Sequence, residues 1–498
     1  MSSTGTRVVK NASILMLSQL ITWTLTLLLT IFLPRYLGAE MVGEYTLAWS
    51  VWAIAGVMIS FGMDTLLTKE IARDPLKTSA LIGTTIVVRV LLYALCLIGI
   101  GLYLYLTKAS TTTIALVGII SITQIFTQFY AAFQSALTGL ELMKYVSISD
   151  MANKAIYSIL GVVLLLLGYG VYGVATLSAV AAIISFLLLF VFLRRHHQFS
   201  LHFDLLRIRL MLRGSLPYLV SGLGLVAYGQ VDILIISSLV NTTEVGWYSA
   251  AVRLFGTLMF IPVIYTTAMF PALTRAYTNA PDSLPRFMRK SFDLLLVLSV
   301  PIGLGILVVA DPMVILLFGS QFAQGGPILA VMGLVLIFTY QNILLGRFLT
   351  STDRQNAWTV VMLVATAVTV PLDILLVPWC QKMFGNGAIG GSFSFLITEI
   401  GMVVAGIRLL PRNSLGWSNV RVAVQVIFAG MVMIGVSWWF RDMVIVIPII
   451  AGALSYTTLI LLLRVVPSED LALFKQIAQN MIRRLRQRAS DSVIIRGV

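Results

Sequence analysis

Five ionisable residues stand inside long apolar runs of this chain: Arg89, Asp232, Arg253, Asp373 and Glu399. A charge in hydrocarbon costs several kcal/mol on even the gentlest scales, so each needs an opposite charge, a bound ion or a water-filled cavity. A guanidinium in such a place suits an anion, because its planar donors pair with two oxygens of a phosphate. A carboxylate there suits a proton or a sodium ion.

Asp232 lies roughly eight residues before the end of one run and Arg253 roughly eight after the start of the next, so both sit about 12 Å deep at 1.5 Å per residue. Two readings are open. The pair neutralises itself and holds a helical hairpin together, or Arg253 lines a cavity and binds an anionic group while Asp232 positions it or exchanges a coupling cation. Tyr218, Ser221, Tyr228 and Asp232 share one helix face, within about 80° at 100° per residue, which favours the cavity. Gln19, Thr22, Thr26 and Thr30 make a similar stripe on the first run, either hydrating a polar path or bonding to a neighbouring helix. Arg89 has no evident local partner. Asp373 and Glu399 are expected to pair structurally or to carry a proton or sodium. Prolines 217, 262, 301, 371 and 378 fall within helices and free backbone carbonyls there.

These residues need a membrane around them. The composition, 59% hydrophobic and 11% charged, is far below the roughly 25% charge of soluble domains. Of the 34 Lys and Arg residues, 28 fall in every second gap between the apolar runs. The intervening gaps hold only Arg35, Lys108, Lys382 and Arg441. Cationic loops stay on the cytoplasmic side. The alternation therefore predicts an all-α integral membrane protein of 14 transmembrane helices with both termini cytoplasmic, in the inner or plasma membrane. Two uncharged stretches must be cut, at Gly168 to Gly173 and at Gly319 to Pro327, to keep the alternation in phase. Aromatic pairs at predicted outer ends agree: Tyr103 and Tyr105, Tyr169 and Tyr172, Trp247 and Tyr248, Trp438 and Trp439.

The net charge of +14 is clustered at helix ends, where anionic lipids attract it, so nucleic acid is not an expected partner. Cys96 and Cys380 are not expected to form a disulfide, and the uncharged run from Asn11 to Pro34 is too long for a signal-peptide core. There is no G-x-x-x-x-G-K-[ST] run for ATP, and His196, His197 and His202 lack metal-ligand spacing, so neither cofactor nor metal is expected beyond a coupling proton or Na+. The longest internal aqueous gap, about 20 residues near Arg194 to Arg213, is too short to fold as a catalytic domain, which argues against an enzyme. The tail from Ser468 to Ser490 has the spacing of an interfacial amphipathic helix.

Val42 to Ala48 (VGEYTLA) and Val245 to Ala251 (VGWYSAA) form a weak repeat. It relates two six-helix lobes, at 1–198 and 199–412, by a pseudo-twofold axis, leaving helices 13 and 14 at 413–466 and a basic tail at 467–498.

Pro34-Arg35-Tyr36-Leu37-Gly38 followed by Gly43-Glu44-Tyr45 resembles the first external loop of Wzx-type polysaccharide flippases, in the multidrug/oligosaccharidyl-lipid/polysaccharide exporter superfamily. The likeness continues at Gln134 to Tyr145, Asp232 through Tyr248, Phe318-Gly319 with Phe322, and Leu372 to Glu399, nearly the whole chain. Asp373 departs from it, since such flippases carry Asn there.

The resemblance implies two lobes in a V around a cavity lined by helices 1, 2, 7 and 8. It also implies a substrate, a polyprenyl-diphosphate-linked oligosaccharide, moved from the inner to the outer leaflet by alternating access, driven by a cation gradient or the membrane potential. The product would feed surface glycan of the lipopolysaccharide O-antigen kind. By resemblance Arg253 contacts the diphosphate, Arg35 and Glu44 lie at the outer gate, and Arg7, Lys10 and Arg213 lie at the inner mouth. Anionic lipids and glycan polymerase or assembly proteins are the implied partners of a monomer. The rivals are a multidrug or cation antiporter, a peptidoglycan-precursor flippase and, more remotely, a membrane glycosyltransferase.

Overall fold

The computed structural model describes residues 24–195, 208–412 and 414–465 in full and the backbone alone of 3–23, 196 and 205–207. Among the described residues there are helices and no strands, as lipid demands of a chain that must satisfy its own backbone.

The helices are α1 (Ser3–Ser60), α2 (Met63–Arg73), α3 (Thr78–Leu106), α4 (Thr111–Gly139), α5 (Met143–Ala155), α6 (Gly161–Leu166) and α7 (Gly170–His196). There follow α8 (Leu205–Leu239), α9 (Thr242–Leu258), α10 (Phe260–Asn279), α11 (Leu284–Phe318) and α12 (Gly325–Ser351). The last are α13 (Gln355–Phe384), α14 (Ala388–Leu409), α15 (Trp417–Trp439) and α16 (Val446–Leu462).

Twelve stretches among the described residues are long and apolar enough to cross a bilayer. The first, Thr24–Arg73, runs through a break at Gly38 (φ 80°, ψ 165°), and Val446–Leu462 is apolar but only 17 residues long. Those are the two places where the predicted fourteen and the observed twelve differ. Both uncharged stretches break where the charge pattern required: Gly168 and Gly170, and Gly319, take the positive φ that ends one helix and starts another.

Backbone contacts divide the chain into two compact units, Met1–Pro281 with Ala310–Leu410, and Asp282–Val309 with Pro411–Val498. In the second, the Asn419 amide donates to Asp293 at 2.7 Å and the Tyr456 hydroxyl to the Val297 carbonyl at 2.9 Å, so α15 and α16 are tied to the first half of α11 by polar groups.

In the first unit, side chains lace helices to backbone across the apolar interior. Trp52 donates to the Val117 carbonyl at 2.9 Å, Gln124 to the Trp52 carbonyl at 2.9 Å and Gln128 to the Gly56 carbonyl at 3.0 Å. These bonds join α1 to α4, and in hydrocarbon they act as specific helix-to-helix glue.

The two copies of the repeat meet one another. A Cβ on Gly43 would overlap the Thr242 carbonyl oxygen, and one on Gly246 would overlap the Ala39 carbonyl. The repeat's matched glycines therefore let α1 and α9 cross with backbones in contact. A second close approach lies further down: Gly62 (φ 70°), between α1 and α2, packs on the backbone of α8, where an added Cβ would be 2.8 Å from the Ser215 carbonyl oxygen. Gly43 and Gly62 are 19 residues apart, about 28 Å along a helix.

Gly43→Val or Gly246→Val should prevent the upper crossing, costing about 1–3 kcal/mol or more through overpacking. The expected outcome is faster labelling, by a membrane-impermeant thiol reagent, of a cysteine placed at Thr242; an unchanged rate would show that the crossing is no seal.

Candidate functional site

Arg253 projects from α9 toward α1 into a cavity of about 610 Å³ whose walls include Thr24, Thr26, Thr30, Thr257 and Phe260. Its Nε is buried with no hydrogen-bond partner among the described residues. A buried guanidinium donor left unmade costs more than a neutral one, so the geometry leaves room for an acceptor. Arg253 is seven residues below Gly246, about 10 Å, which puts the cavity between the two close approaches. The Tyr45 and Tyr157 hydroxyls, bonded to each other at 2.5 Å, lie within its electrostatic reach. Tyr157 stands in a π-helical turn, Ile156–Leu160, of the kind that often marks functional positions.

The helix beside the cavity is broken for a visible reason. Pro262 has no N–H to give the Leu258 carbonyl, and the Tyr340 hydroxyl of α12 donates to that carbonyl instead, at 2.7 Å. The chain thus splits into α9 and α10 directly below Arg253.

A second cluster lies among α8, α9, α13 and α14. Asp232 accepts from the Tyr248 hydroxyl and faces Asp373, which Ser394 also approaches. Both carboxylates are buried; Asp232 Oδ1 and both Asp373 oxygens have no hydrogen-bond partner by geometry. Beside them Glu399 accepts from the Tyr228 hydroxyl at 2.9 Å and from the Asn342 amide at 2.8 Å.

A third cluster accounts for Arg89. Fully buried, it meets Asp64 at 2.5 Å and donates to the Gln128 carbonyl, while Ser135 donates to the same Asp64 oxygen at 3.2 Å.

A family model described as "Polysaccharide biosynthesis protein" matches residues 8–277, more than half of the chain. The chain belongs to this family. A second model, MatE, matches residues 217–375. The probable low-salt glycan biosynthesis flippase Agl15 of Haloferax volcanii is 23% identical over 49% of this chain and 52% of its own length. The succinoglycan biosynthesis transport protein ExoT of Rhizobium meliloti is 25% identical over 37% of each. The match thus spans about half or less of these curated relatives. Among solved structures, the lipid II flippase MurJ in an inward closed conformation has a TM-score of 0.71 at 14% identity, covering 91% of this chain and 98% of that one. An inward-facing multidrug resistance MATE transporter of the MOP superfamily has a TM-score of 0.60 at 14% identity, over 78% and 93%. At such identities the likeness is one of fold. The expected superfamily and its all-helical membrane architecture are both met.

For this member of the polysaccharide biosynthesis family, several residue expectations need correction. Asp232 and Arg253 do not pair. Tyr248, five residues before Arg253, lies about 140° away around α9, so the face that meets Asp232 is not the face that carries Arg253; equal depth did not imply equal azimuth. Tyr248 is accordingly buried against Asp232 and not in the outer aromatic belt, whereas Tyr105, Tyr169, Trp438 and Trp439 are exposed. The stripe Tyr218, Ser221, Tyr228 and Asp232 does not line the Arg253 cavity: Tyr228 and Asp232 turn into the acidic cluster, Ser221 is exposed and Tyr218 lies where α8 meets Gly62. Arg89, expected to lack a local partner, has Asp64.

Thr26 and Thr30 do line the cavity with Arg253. The side chains of Gln19, Thr22, Arg7 and Lys10, the three histidines' side chains and the tail helix lie outside the described residues. Arg213 is exposed. Arg35 donates to the Leu316 carbonyl at 3.2 Å, near the C-terminus of α11, where a cation is favoured, and Glu44 is buried and accepts from Ser110 at 2.9 Å and from Thr113. Both tie α1 to the end of a neighbouring helix. Tyr157 and Tyr340 have no signal in the sequence, and Tyr45 enters there only within a motif; the π-turn and the hydroxyl given to a proline-freed carbonyl carry no linear signal.

Asp64→Ala should cost about 3–5 kcal/mol by leaving the fully buried Arg89 unpaired, and Arg89→Ala less, because Asp64 is 37% exposed and can turn to water. The double variant should recover much of it, read as the thermal midpoint in detergent; additive losses would show that the two are energetically independent.

Proposed function

We propose that this chain is a flippase that moves a polyprenyl-diphosphate-linked oligosaccharide from the inner to the outer leaflet of the cell membrane, with both termini cytoplasmic. The observation that carries the reading is the unpartnered Arg253 Nε at a cavity bounded by hydroxyls and apolar side chains. A diphosphate supplies the acceptors this guanidinium lacks, bidentately. Thr24, Thr26, Thr30 and Thr257 offer hydroxyls around it, and Leu27, Phe260 and Val263 suit the first isoprene units. The relatives' names, a glycan flippase and a polysaccharide transport protein, support the substrate class. A drug or cation antiporter would call for acid, not guanidinium, on this wall.

The driving force belongs to the acidic cluster. Two carboxylates facing one another away from water need a proton or a cation between them. Asp232, Asp373 and Ser394 are the residues that would hold it, with Tyr248 fixing Asp232. The chain's own steps are then these: Arg253 takes the diphosphate while the cavity is open to the inner leaflet; a cation or proton at Asp232 and Asp373 changes the packing of α8 on α13; the Gly43 and Gly246 crossing parts while the Gly62 approach holds. Each elementary charge moved across 100 mV contributes about 2.3 kcal/mol to the cycle.

In liposomes containing a labelled lipid-linked oligosaccharide, Arg253→Ala should lower translocation by about tenfold or more, and Arg253→Lys should keep part of it as a point charge. Wild-type protein that fails to translocate under any imposed gradient would refute the function, and lipid II in a parallel arm would show whether the glycan is discriminated. Asp373→Asn should still bind lipid but no longer respond to an imposed Na+ or proton gradient; an unaltered response would remove the acidic cluster from the drive.

A further inference from the structure

A second cavity, an open groove of about 630 Å³, lies in the N-terminal half between α2 and α4. Its walls carry Asp64, Thr65, Thr68, Lys69, Gln134 and Ser135. Nothing in the proposed diphosphate site uses them. We propose that this cavity is a carbohydrate subsite that holds distal sugars of the lipid-linked oligosaccharide while its diphosphate is on Arg253. The inference rests on the flippase reading and extends it to the glycan.

Three observations on the molecule point this way. The first is chemistry. A polyol needs donors and acceptors mixed around it, and this wall has a carboxylate, hydroxyls, a carboxamide and an ammonium within one cavity. Asp64 is held as an acceptor by Arg89, which is fully buried behind it, so the carboxylate's charge is balanced from within the protein and one edge remains for a ligand. The Thr65 hydroxyl and the Gln134 amide make no hydrogen bond among the described residues. Alanines 72 and 131 on the same wall leave the space that a sugar ring's C–H face would fill.

The second is direction. Around α2, at 100° per residue, Asp64, Thr65, Thr68 and Lys69 occupy the arc between the edge that packs on α8 through Gly62 and Leu66 and the face that packs on α4. The groove thus borders the edge of α2 that packs on α8, the first helix of the C-terminal lobe.

The third is distance. Gly43 and Gly246 touch and so share one depth. Arg253 lies seven residues below that contact and the end of α1 at Ser60 seventeen below it, a difference of about 15 Å along the helices, and Asp64 follows beyond the break at Phe61 and Gly62. A chain of several sugars spans this gap, whereas a single sugar or the diphosphate does not. Asp64 lies toward the cationic end of the helix pair, near Lys69 and Arg73, which is the cytoplasmic side by the charge pattern. An oligosaccharide pointing from Arg253 to Asp64 has the polarity of substrate arriving from the inner leaflet.

The test uses the full chain in lipid nanodiscs and two probes: lipid-linked oligosaccharide extracted from the source membranes, and bare polyprenyl diphosphate. The Thr65→Val, Gln134→Leu variant removes two wall groups that make no internal bond and leaves the Asp64 and Arg89 pair intact. Its affinity for the sugar-bearing lipid should fall about tenfold while its affinity for the bare lipid stays as in wild type. Arg253→Ala should weaken both. Equal affinity of the double variant and wild type for the sugar-bearing lipid overturns the subsite, as does an equal loss for both lipids. Wild type that binds the bare lipid but gains nothing from the sugars overturns it while leaving the flippase reading in place; wild type that binds neither lipid overturns both.

Discussion

Every polar group placed in hydrocarbon must find its partner inside the protein, and that constraint orders this chain. It explains why the laces from α4 to α1 run to backbone carbonyls, why the carbonyl freed by Pro262 is taken by Tyr340, and why Arg89 sits on Asp64. Once those debts of hydrogen bonding are accounted for, the groups left over stand out. Among the described residues they include Arg89 Nε, the Gln341 carboxamide and Asn386 Oδ1, but those that border a cavity or face a like charge are Arg253 Nε and the carboxyl oxygens of Asp232 and Asp373. Packing does not need them, which is the physical ground for giving one to an anionic ligand and the others to a cation or proton.

The same constraint separates two kinds of buried charge. Arg89 and Asp64 form an ion pair whose loss would leave a charge stranded, and replacing such a pair by apolar groups is often neutral. Arg253 has no carboxylate partner among the described residues. The polar groups near it among the described residues are hydroxyls, from threonines of α1, Thr257, Tyr45 and Tyr157. Bracketing this cavity are two places where helices touch backbone to backbone at glycine, the Gly43 and Gly246 crossing above and Gly62 on α8 below. Backbones that close admit no intermediate spacing with a side chain in between, so each contact is either made or parted, the bistability that alternating access requires.

Much of the fold was legible because its signals are one-dimensional. Uncharged runs, the side on which Lys and Arg gather, and glycines at helix ends are read along the chain, and the breaks at Gly168 and Gly319 fall where charge parity required them. The VGEYTLA and VGWYSAA repeat even anticipated a physical contact, since its glycines are the ones that interlock. Azimuth was not legible. Depth along two neighbouring helices suggested that Asp232 meets Arg253, but Tyr248 stands between them on a different face of α9. Arg89's partner lay 25 residues away on another helix, across a break at Phe61 and Gly62 that hydropathy does not mark. The departure at Asp373, read as a lone exception, acquires meaning only because the fold brings Asp232 to it.

The most direct measurement is the position of the diphosphate itself, by electron cryomicroscopy of the full chain in nanodiscs saturated with polyprenyl diphosphate. The account predicts paired phosphate density within hydrogen-bonding distance of Arg253, between α1 and the α9–α10 break, with the isoprene chain leaving past Phe260. Density for the diphosphate anywhere else, with the Arg253 guanidinium still bare, would contradict it.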